Sequence, residues 1–310
     1  MESSVNRASD VLCAVVGPTA SGKSDLALEL ALVLPDVLGA PGHGEIVSAD
    51  ALQLYRGMDV GTAKTPVSER RGIRHHQIDV LSVRDEASVA AYQKHARADV
   101  ADIHERGGVA AVAGGSGPYP RAPLGGSMLR RGGALARARG PPAGAGAAGG
   151  PGLSRRPLRD ATDFPGTDPH VRARLQRQAE GPGGVRSLHE RLASLDPISA
   201  TRIDPRNERR IVRALEVIEV TGRPYSASMP RHEFFSPAIM VALRRPLESL
   251  DKRIGVRTRA MMRAGLIEEV RSLIDEGLRE AKTASRATGY SQALAVIDGQ
   301  MSEEEAEESI

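Results

Sequence analysis

The residues best suited to chemistry stand near the start of the chain, as Gly17-Pro18-Thr19-Ala20-Ser21-Gly22-Lys23-Ser24. This run matches G-x-x-x-x-G-K-[ST], in which glycines let successive backbone N–H groups point at one anion. Lys23 would add a mobile positive charge, and the Ser24 hydroxyl is a ligand suited to Mg²⁺. The pattern predicts an oligophosphate-binding loop with a magnesium ion at Ser24. It specifies neither the phosphate compound nor the bond that breaks.

Two further candidates follow predicted strands. Asp50 comes after an apolar run at 45–48, so the topology places it beside the phosphate loop. Its carboxylate could act as a general base or a magnesium partner, or it could cap the turn that follows. Ser116 lies in Gly114–Gly117, after the apolar run at 109–113. By position alone, Ser116 is a turn residue.

The elements around these candidates predict the fold class. Val11–Val16 is a short apolar run typical of a buried parallel strand, and residues 24–34 show helical apolar spacing. Pro35 and Gly39 are expected to end that helix. Other early elements are predicted at 45–48, 77–80, 88–105 and 109–113. Alternating strands and helices predict an α/β fold, a P-loop NTPase-like doubly wound parallel sheet with a mostly helical inserted lobe.

The second half of the chain is predicted to be mostly helical. Helices are expected at 170–179, 185–195, 207–220, 249–264, 266–276 and 285–298, with a strand at 239–243. Ser302 is expected to cap an acidic C-terminal helix. The predicted division is a core at 1–117, an aberrant segment at 118–162, a helical lobe at 163–235, and a return to the core at 236–310.

Charge and composition narrow the class of protein. The chain has 310 residues and a net charge of +3, but the stretch 118–161 holds eight arginines and one acidic residue. The basic excess therefore comes from one Gly/Pro/Ala/Arg-rich segment, which is expected to be disordered and to build no core. A single cysteine excludes a disulfide scaffold, and no apolar run could span a bilayer. Residues 1–10 do not resemble a signal peptide, so a cytoplasmic location is expected.

Several motifs, taken together, resemble one family. GPTASGKS, SADALQLYRGMDVGTAK, HHQIDV and AGGSGxY occur in this order, followed by FPGTDPHVRARL, RRIVRALEV and SRATGYSQAL. In order and spacing they resemble the bacterial tRNA dimethylallyltransferases, also called tRNA isopentenyltransferases or IPP transferases. The resemblance covers nearly the whole chain except 118–161.

The resemblance implies a reaction for the candidate residues. The family transfers a dimethylallyl group from dimethylallyl diphosphate to N6 of adenosine 37 in tRNA, beside the anticodon. The loop at 17–24 would then hold the diphosphate with Mg²⁺, and Asp50 would take the proton from the adenine amine. Ser116 stands where the family has a hydroxyl residue beside the base and the diphosphate.

The resemblance also implies partners. The target base must leave its stack to enter the pocket, and the protein would act as a monomer on the anticodon loop, with no membrane. The arginines of the RNA-facing set would contact phosphates or stack on bases. That set comprises Asp50, Ala51, Leu52, Gln53, Arg172, Arg209, Arg210, Arg213, Arg286, Gly289, Tyr290 and Gln292.

Two departures from the family pattern keep alternatives open. The stretch 118–161 replaces an expected apolar helix behind Ser116, and the chain ends at Ile310 without the basic segment of the family. An inactive remnant of the transferase is therefore one alternative. A small-molecule or nucleotide kinase with the same ATP-binding type of loop is another. His75, His76 and Asp79 have poor spacing for a metal site and are expected to be structural.

Overall fold

The structure is a computed structural model that describes residues 11–115, 118–124, 167–228 and 237–310. The chain forms two compact units, one comprising 1–125 with 234–310 and the other 126–233. The strands and the phosphate loop lie in the first unit. The predicted boundaries at 117, 162 and 235 stay predictions, because each falls on a residue outside the described ranges.

A parallel sheet organises the first unit. Its strands are β1 (Leu12–Val16), β2 (Gly44–Ala49), β3 (His75–His76), β4 (Val109–Gly114) and β5 (Ala238–Ala242), in the order β3-β2-β4-β1-β5. Each adjacent pair is parallel. Val16 of β1 and Ala49 of β2 both pair with Gly114 of β4, so these three strands end at one edge. The predicted α/β class is confirmed, and the segments that follow these strands begin side by side.

The described ranges also contain α-helices, in both units. They are α1 (Lys23–Leu38), α2 (Val89–Glu105), α3 (Pro118–Arg121), α4 (Pro169–Glu180), α5 (Gly184–Leu195), α6 (Pro197–Arg202), α7 (Glu208–Thr221), α8 (Leu247–Arg263), α9 (Leu266–Asp275), α10 (Tyr290–Ile297) and α11 (Glu303–Ser309). Ser302 caps α11 as expected, since its hydroxyl accepts from the Glu305 N–H at 3.1 Å. None of the described helices combines the length and apolar character needed to cross a bilayer.

Three expected elements differ from the structure. α1 continues through the buried Pro35 and ends at Gly39, whose φ of 62° allows a left-handed C-cap. The element expected at 77–80 is wrong, because Gln77 and Asp79 have positive φ values that end the pairing of β3. The helix expected at 285–298 is interrupted at Gly289, φ 91°, and α10 starts only after it.

The start of the Gly/Pro-rich stretch also differs from expectation. Residues 118–124 form α3 and a turn, and the Tyr119 ring packs against Tyr92 with centroids 4.9 Å apart. Ala122 and Leu124 are buried, and Gln93 Nε2 donates to the Ala122 carbonyl at 2.8 Å. Closely spaced prolines are compatible with one turn, because the first turn of a helix needs no intrahelical N–H donors. The rest of the stretch, 125–161, lies outside the described residues.

The second unit is helical where it is described. Apolar faces of α4, α5 and α7 meet in a core that includes Leu175, Leu188, Leu192, Ile211 and Leu215. Asp168 caps α4 by accepting from the His170 and Val171 N–H groups. The predicted helices of this region are confirmed, with ends shifted by one or two residues.

Candidate active site

The phosphate loop joins β1 to α1. Ala20 and Gly22 have φ values of 59° and 94°, so the backbone curls twice between the strand and the helix. Gly22 is the N-cap of α1 and has no side chain to accept from the first turn. The first N–H groups of α1 therefore remain for a ligand, at the positive end of the helix dipole.

Ser21 gives this loop an unusual polar atom. The residue is 2% exposed, and its Oγ has no hydrogen-bond partner among the described residues. A Cβ at Gly17 would lie 2.9 Å from that Oγ, so a larger residue there would displace the hydroxyl or the loop. Since buried hydroxyls are normally satisfied, an unpartnered one inside the loop fits a site that takes a polar ligand.

Lys23 is the charged residue of the loop. Its Nζ donates to the Pro18 carbonyl at 2.8 Å, which folds the side chain over the loop. Burial lowers the pKa of Lys23, and the nearby Arg257 lowers it further, while Asp50 opposes both. The loop thus keeps a partly desolvated cation, which would bind an anion more strongly than an exposed one.

Asp50 follows Ala49, the last residue of β2. Its Oδ1 accepts from the Leu52 N–H at 2.9 Å, so Asp50 does cap the following turn. Its charge also acts on both Lys23 and Arg257. Capping and chemistry are therefore compatible, because the carboxylate that fixes the turn also lies near two cations.

Three arginines at the loop were missed by the sequence reasoning. Arg245 Nε donates to the Ser21 carbonyl at 2.8 Å and Arg253 Nε donates to the Ala20 carbonyl at 2.7 Å. Arg257 Nη2 lies 3.3 Å from the Thr62 carbonyl, and burial lowers its pKa although Asp50 opposes this. The sequence signal that could have indicated two of them is the four-residue spacing of Arg253 and Arg257, which places both on one face of α8.

The motif that begins at Ser48 folds into a compact loop. Ser48 Oγ donates to Gln53 Oε1 at 3.0 Å, and Gln53 Nε2 lies 3.3 Å from the Thr62 carbonyl. Lys64 has a buried Nζ that donates to Tyr55 O, Asp59 Oδ1 and Asp79 Oδ1 at 2.6, 2.7 and 2.5 Å. These contacts make the run from Ser48 to Lys64 a folded support for the residues beside Asp50.

The RNA-facing residues predicted in the first unit have mixed surroundings. Ala51, Leu52 and Gln53 are half-buried next to Asp50, and Arg286 is exposed. Gln292 Oε1 accepts from the buried Gly289 N–H at 2.8 Å and so caps α10. Tyr290 is 0% exposed, and its hydroxyl donates to Glu269 Oε1 at 2.6 Å. The expected RNA contact of Tyr290 is therefore corrected, because its ring is enclosed by protein.

The arginines predicted in the second unit fall into two kinds. Arg172 and Arg213 both donate to Glu216 Oε2, at 2.8 and 2.9 Å, and the Glu216 side chain is fully buried. Burial opposes the charge of Glu216, but the two arginines outweigh it and lower the pKa of this carboxyl. Arg209 and Arg210 are exposed. An RNA contact for any of these four stays a prediction.

Ser116 lies outside the described residues. The strand before it ends at Gly114, where a Cβ would lie 2.4 Å from the Ala49 carbonyl. This close approach explains the glycine and brings the end of β4 against the end of β2. The assigned role of Ser116 beside Asp50 stays a prediction.

Magnesium would need ligands from the substrate. Among the described residues, no three His, Cys, Asp or Glu side chains are grouped to hold a metal ion. Ser24 is exposed at the start of α1, beside the first N–H groups of the helix. Mg²⁺ commonly binds through one or two protein oxygens, phosphate oxygens and water, so a hydroxyl at a phosphate loop fits this ion.

His75 and His76 make structural contacts. His76 Nε2 lies 2.6 Å from Glu45 Oε2, and its Nδ1 lies 3.5 Å from Asp99 Oδ1. Burial opposes the charge of His76, but the two carboxylates outweigh it and raise the pKa of the imidazole. Burial lowers the pKa of His75, whose Nδ1 lies 2.9 Å from the Ile73 carbonyl.

Comparisons with known proteins give these features a context. The IPP transferase family model matches residues 53–143 and 146–310, which includes most of the stretch 118–161 that we had placed outside the resemblance. The chain is 48% identical to the tRNA dimethylallyltransferase of Kineococcus radiotolerans over 96% of its length and 82% of that protein. It is 47% identical to the enzyme of the same name from Thermobifida fusca, over 95% of this chain and 80% of that one.

Solved structures agree with the sequence relatives. The tRNA isopentenylpyrophosphate transferase of Bacillus halodurans aligns with a TM-score of 0.56 and 31% identity, over 97% of this chain and 81% of that chain. A eukaryotic dimethylallyltransferase, solved acting on tRNA, aligns with a TM-score of 0.66 over 96% of this chain and 65% of that one. Its identity is 19%, so this likeness concerns the fold. By the family model and by these relatives, the chain belongs to the IPP transferase family, the family of the tRNA dimethylallyltransferases.

Proposed function

We propose that this chain transfers the dimethylallyl group of dimethylallyl diphosphate to N6 of adenosine 37 in tRNA. The observation that carries the proposal is the position of Asp50, which directly follows β2 at the sheet edge where β1 also ends, with Lys23 and Arg257 near enough to interact with its charge. A base and two cations at the end of a phosphate loop suit a reaction that releases diphosphate while an amine loses a proton.

In the proposed reaction, the N6 nitrogen of adenine forms a bond to C1 of the dimethylallyl group as the C1–O bond to the diphosphate breaks. The electron pair of that bond leaves with the diphosphate, whose added charge is met by Lys23, Arg257 and the N–H groups of α1. Asp50 accepts the proton that N6 loses. Bound Mg²⁺ would neutralise part of the diphosphate charge, and Ser24 is the residue that would hold it.

The remaining donors at the loop support the diphosphate as the ligand. Arg245 and Arg253 each use Nε on a loop carbonyl, which leaves their terminal nitrogens for a phosphate group. The Arg245 Nη2 lies 3.7 Å from where a Cβ at Gly22 would be, at the start of α1. A guanidinium there adds positive charge at the anion end of the helix.

The tRNA partner is proposed from the relatives, whose names state that substrate. The exposed Arg209, Arg210 and Arg286 suit contacts with phosphates, which fix the position of an RNA more than its sequence. We expect the chain to act as a monomer in the cytoplasm. Ser116 would contribute a hydroxyl beside the reacting amine.

The test mixes the purified full chain with radiolabelled dimethylallyl diphosphate, Mg²⁺ and a tRNA that carries an unmodified adenosine 37. We expect label in the tRNA, and its loss with Lys23→Ala and Asp50→Ala, while Lys94→Ala and Asp36→Ala on exposed helix faces retain it. No label with the wild-type chain would contradict the proposal. Phosphate transfer from ATP in a parallel reaction would then favour a kinase, and inactivity in both an inactive remnant.

A further inference from the structure

Glu269 binds the backbone of a loop more than two hundred residues away in sequence. Its Oε2 accepts from the Asp59 and Val60 N–H groups at 2.9 and 2.6 Å. Its Oε1 accepts from the Gly61 N–H at 3.1 Å and from the Tyr290 hydroxyl at 2.6 Å. A carboxylate that accepts from three consecutive amides holds that segment in one conformation, because each bond is charge-assisted.

The packing around these bonds permits little movement. A Cβ at Gly61 would lie 2.6 Å from the Tyr290 ring and 2.8 Å from Leu266 Cδ1, so the backbone of the loop touches both side chains. Tyr290 and Leu266 are fully buried in the core that α9 and α10 share. Burial and the bond to Glu269 raise the pKa of Tyr290, so its hydroxyl stays a donor.

The residue that follows this segment reaches the candidate active site. The Thr62 carbonyl lies 3.3 Å from Arg257 Nη2 and 3.3 Å from Gln53 Nε2. Arg257 is the cation whose charge acts on Lys23 and Asp50. The carbonyl that orients Arg257 is therefore fixed by the loop, and the loop is fixed by Glu269.

We propose that Glu269 is a positioning residue for diphosphate binding and release, which acts through the 59–62 loop on Arg257. The inference rests on the proposed function, because Arg257 is taken to face the diphosphate. Glu269 itself touches no substrate. Because Glu269 fixes the loop, Arg257 is already oriented before the diphosphate binds. No binding energy is then used to arrange Arg257 as charge develops on the leaving group.

The test compares Glu269→Gln with Glu268→Gln, which removes the same charge from the neighbouring exposed position of α9. Glutamine keeps the size of the side chain, but it replaces one acceptor oxygen by an NH₂ that faces N–H donors. Binding of inorganic pyrophosphate with Mg²⁺ is measured by calorimetry, with thermal unfolding as a check that each variant is folded. We expect Glu269→Gln to weaken binding about fivefold and Glu268→Gln to leave it unchanged.

A double-mutant cycle distinguishes positioning from a general loss of structure. In an Arg257→Ala background, Glu269→Gln should weaken pyrophosphate binding less than about twofold, because the residue through which it acts is gone. Equal weakening in both backgrounds, or none in the wild-type background, would overturn the proposal. Tyr290→Phe removes one of the four bonds to Glu269 and gives a second, milder variant, with an expected weakening of about twofold.

Kinetics of prenyl transfer provide an independent readout. Glu269→Gln should lower kcat about tenfold and change KM for dimethylallyl diphosphate less than about threefold, because Arg257 matters most as charge develops. A raised KM at constant kcat would overturn the positioning role. If the wild-type chain transfers no prenyl group but the pyrophosphate cycle shows coupling, the proposed function fails and the role of Glu269 stands.

Discussion

Glu269 in the first unit and Glu216 in the second are both carboxylates held by several hydrogen bonds, but their donors differ. Glu269 accepts from three backbone amides and a tyrosine hydroxyl. Glu216 accepts from Arg172, Arg213 and one backbone N–H, that of Asp168. A carboxylate that binds amides fixes the course of the main chain. One that binds arginines fixes the positions of two cations.

The largest effect that would test this comparison is on the stability of the second unit. Glu216→Gln removes the buried charge that Arg172 and Arg213 share. We expect a loss of about 2–3 kcal/mol in the free energy of unfolding, measured by urea denaturation. A loss smaller than about 0.5 kcal/mol would show that the two arginines find other partners at no cost.

Glu219, one turn along α7, is the matched control. It also pairs with two arginines, Arg174 and Arg191, but the three side chains are more exposed. Because water screens exposed ion pairs, Glu219→Gln should cost about 1 kcal/mol or less in the same denaturation experiment. If both variants lose equal stability, burial of Glu216 is not the cause of the difference.

Glu45 differs from both Glu269 and Glu216, because one of its partners can lose its charge. It binds the permanent cation Arg106 and the titratable side chain of His76. The pKa of His76 is raised in the folded state, so its contribution is complete below the ordinary histidine pKa and is lost as pH rises through the raised value. The pKa of His75 is lowered, so its contribution to stability changes with pH in the opposite direction to that of His76.

The variant His76→Gln isolates the contribution of His76. Between about pH 6 and about pH 8, the wild type should lose stability relative to His76→Gln, as followed by urea denaturation at each pH. If the stability of the wild type relative to His76→Gln stays constant or increases as pH rises across that range, the assigned role of the Glu45–His76 pair is refuted.

Features that are local in sequence could be predicted, and those that depend on distant packing could not. The loop at 17–24 is contiguous, and Asp50 directly follows a strand, so a pattern and a topology rule were enough to find them. Arg245, Arg253 and Arg257 reach the loop only because β5 lies beside β1. An arginine on an isolated helix is usually solvated, so the four-residue spacing of Arg253 and Arg257 on α8 did not by itself identify a ligand site.

The three arginines were overlooked, whereas Tyr290 was assigned a contact that its burial opposes. It stands in a motif that resembles an RNA-facing segment, so it was expected to contact RNA, but Gly61 and Leu266 close around its ring. The glycine that permits this approach is more than two hundred residues earlier in the chain. Residues 118–124 were misjudged for a related reason, because the turn they form is stabilised by contacts with α2 rather than by its own composition.

The central claim is that Asp50 serves as the base while the loop and its cations hold the diphosphate. The most direct measurement is single-turnover prenyl transfer by Asp50→Asn, with pyrophosphate binding measured on the same protein. We predict a transfer rate at least about a hundredfold below wild type, with pyrophosphate affinity within about threefold. Transfer at the wild-type rate by Asp50→Asn would contradict the account.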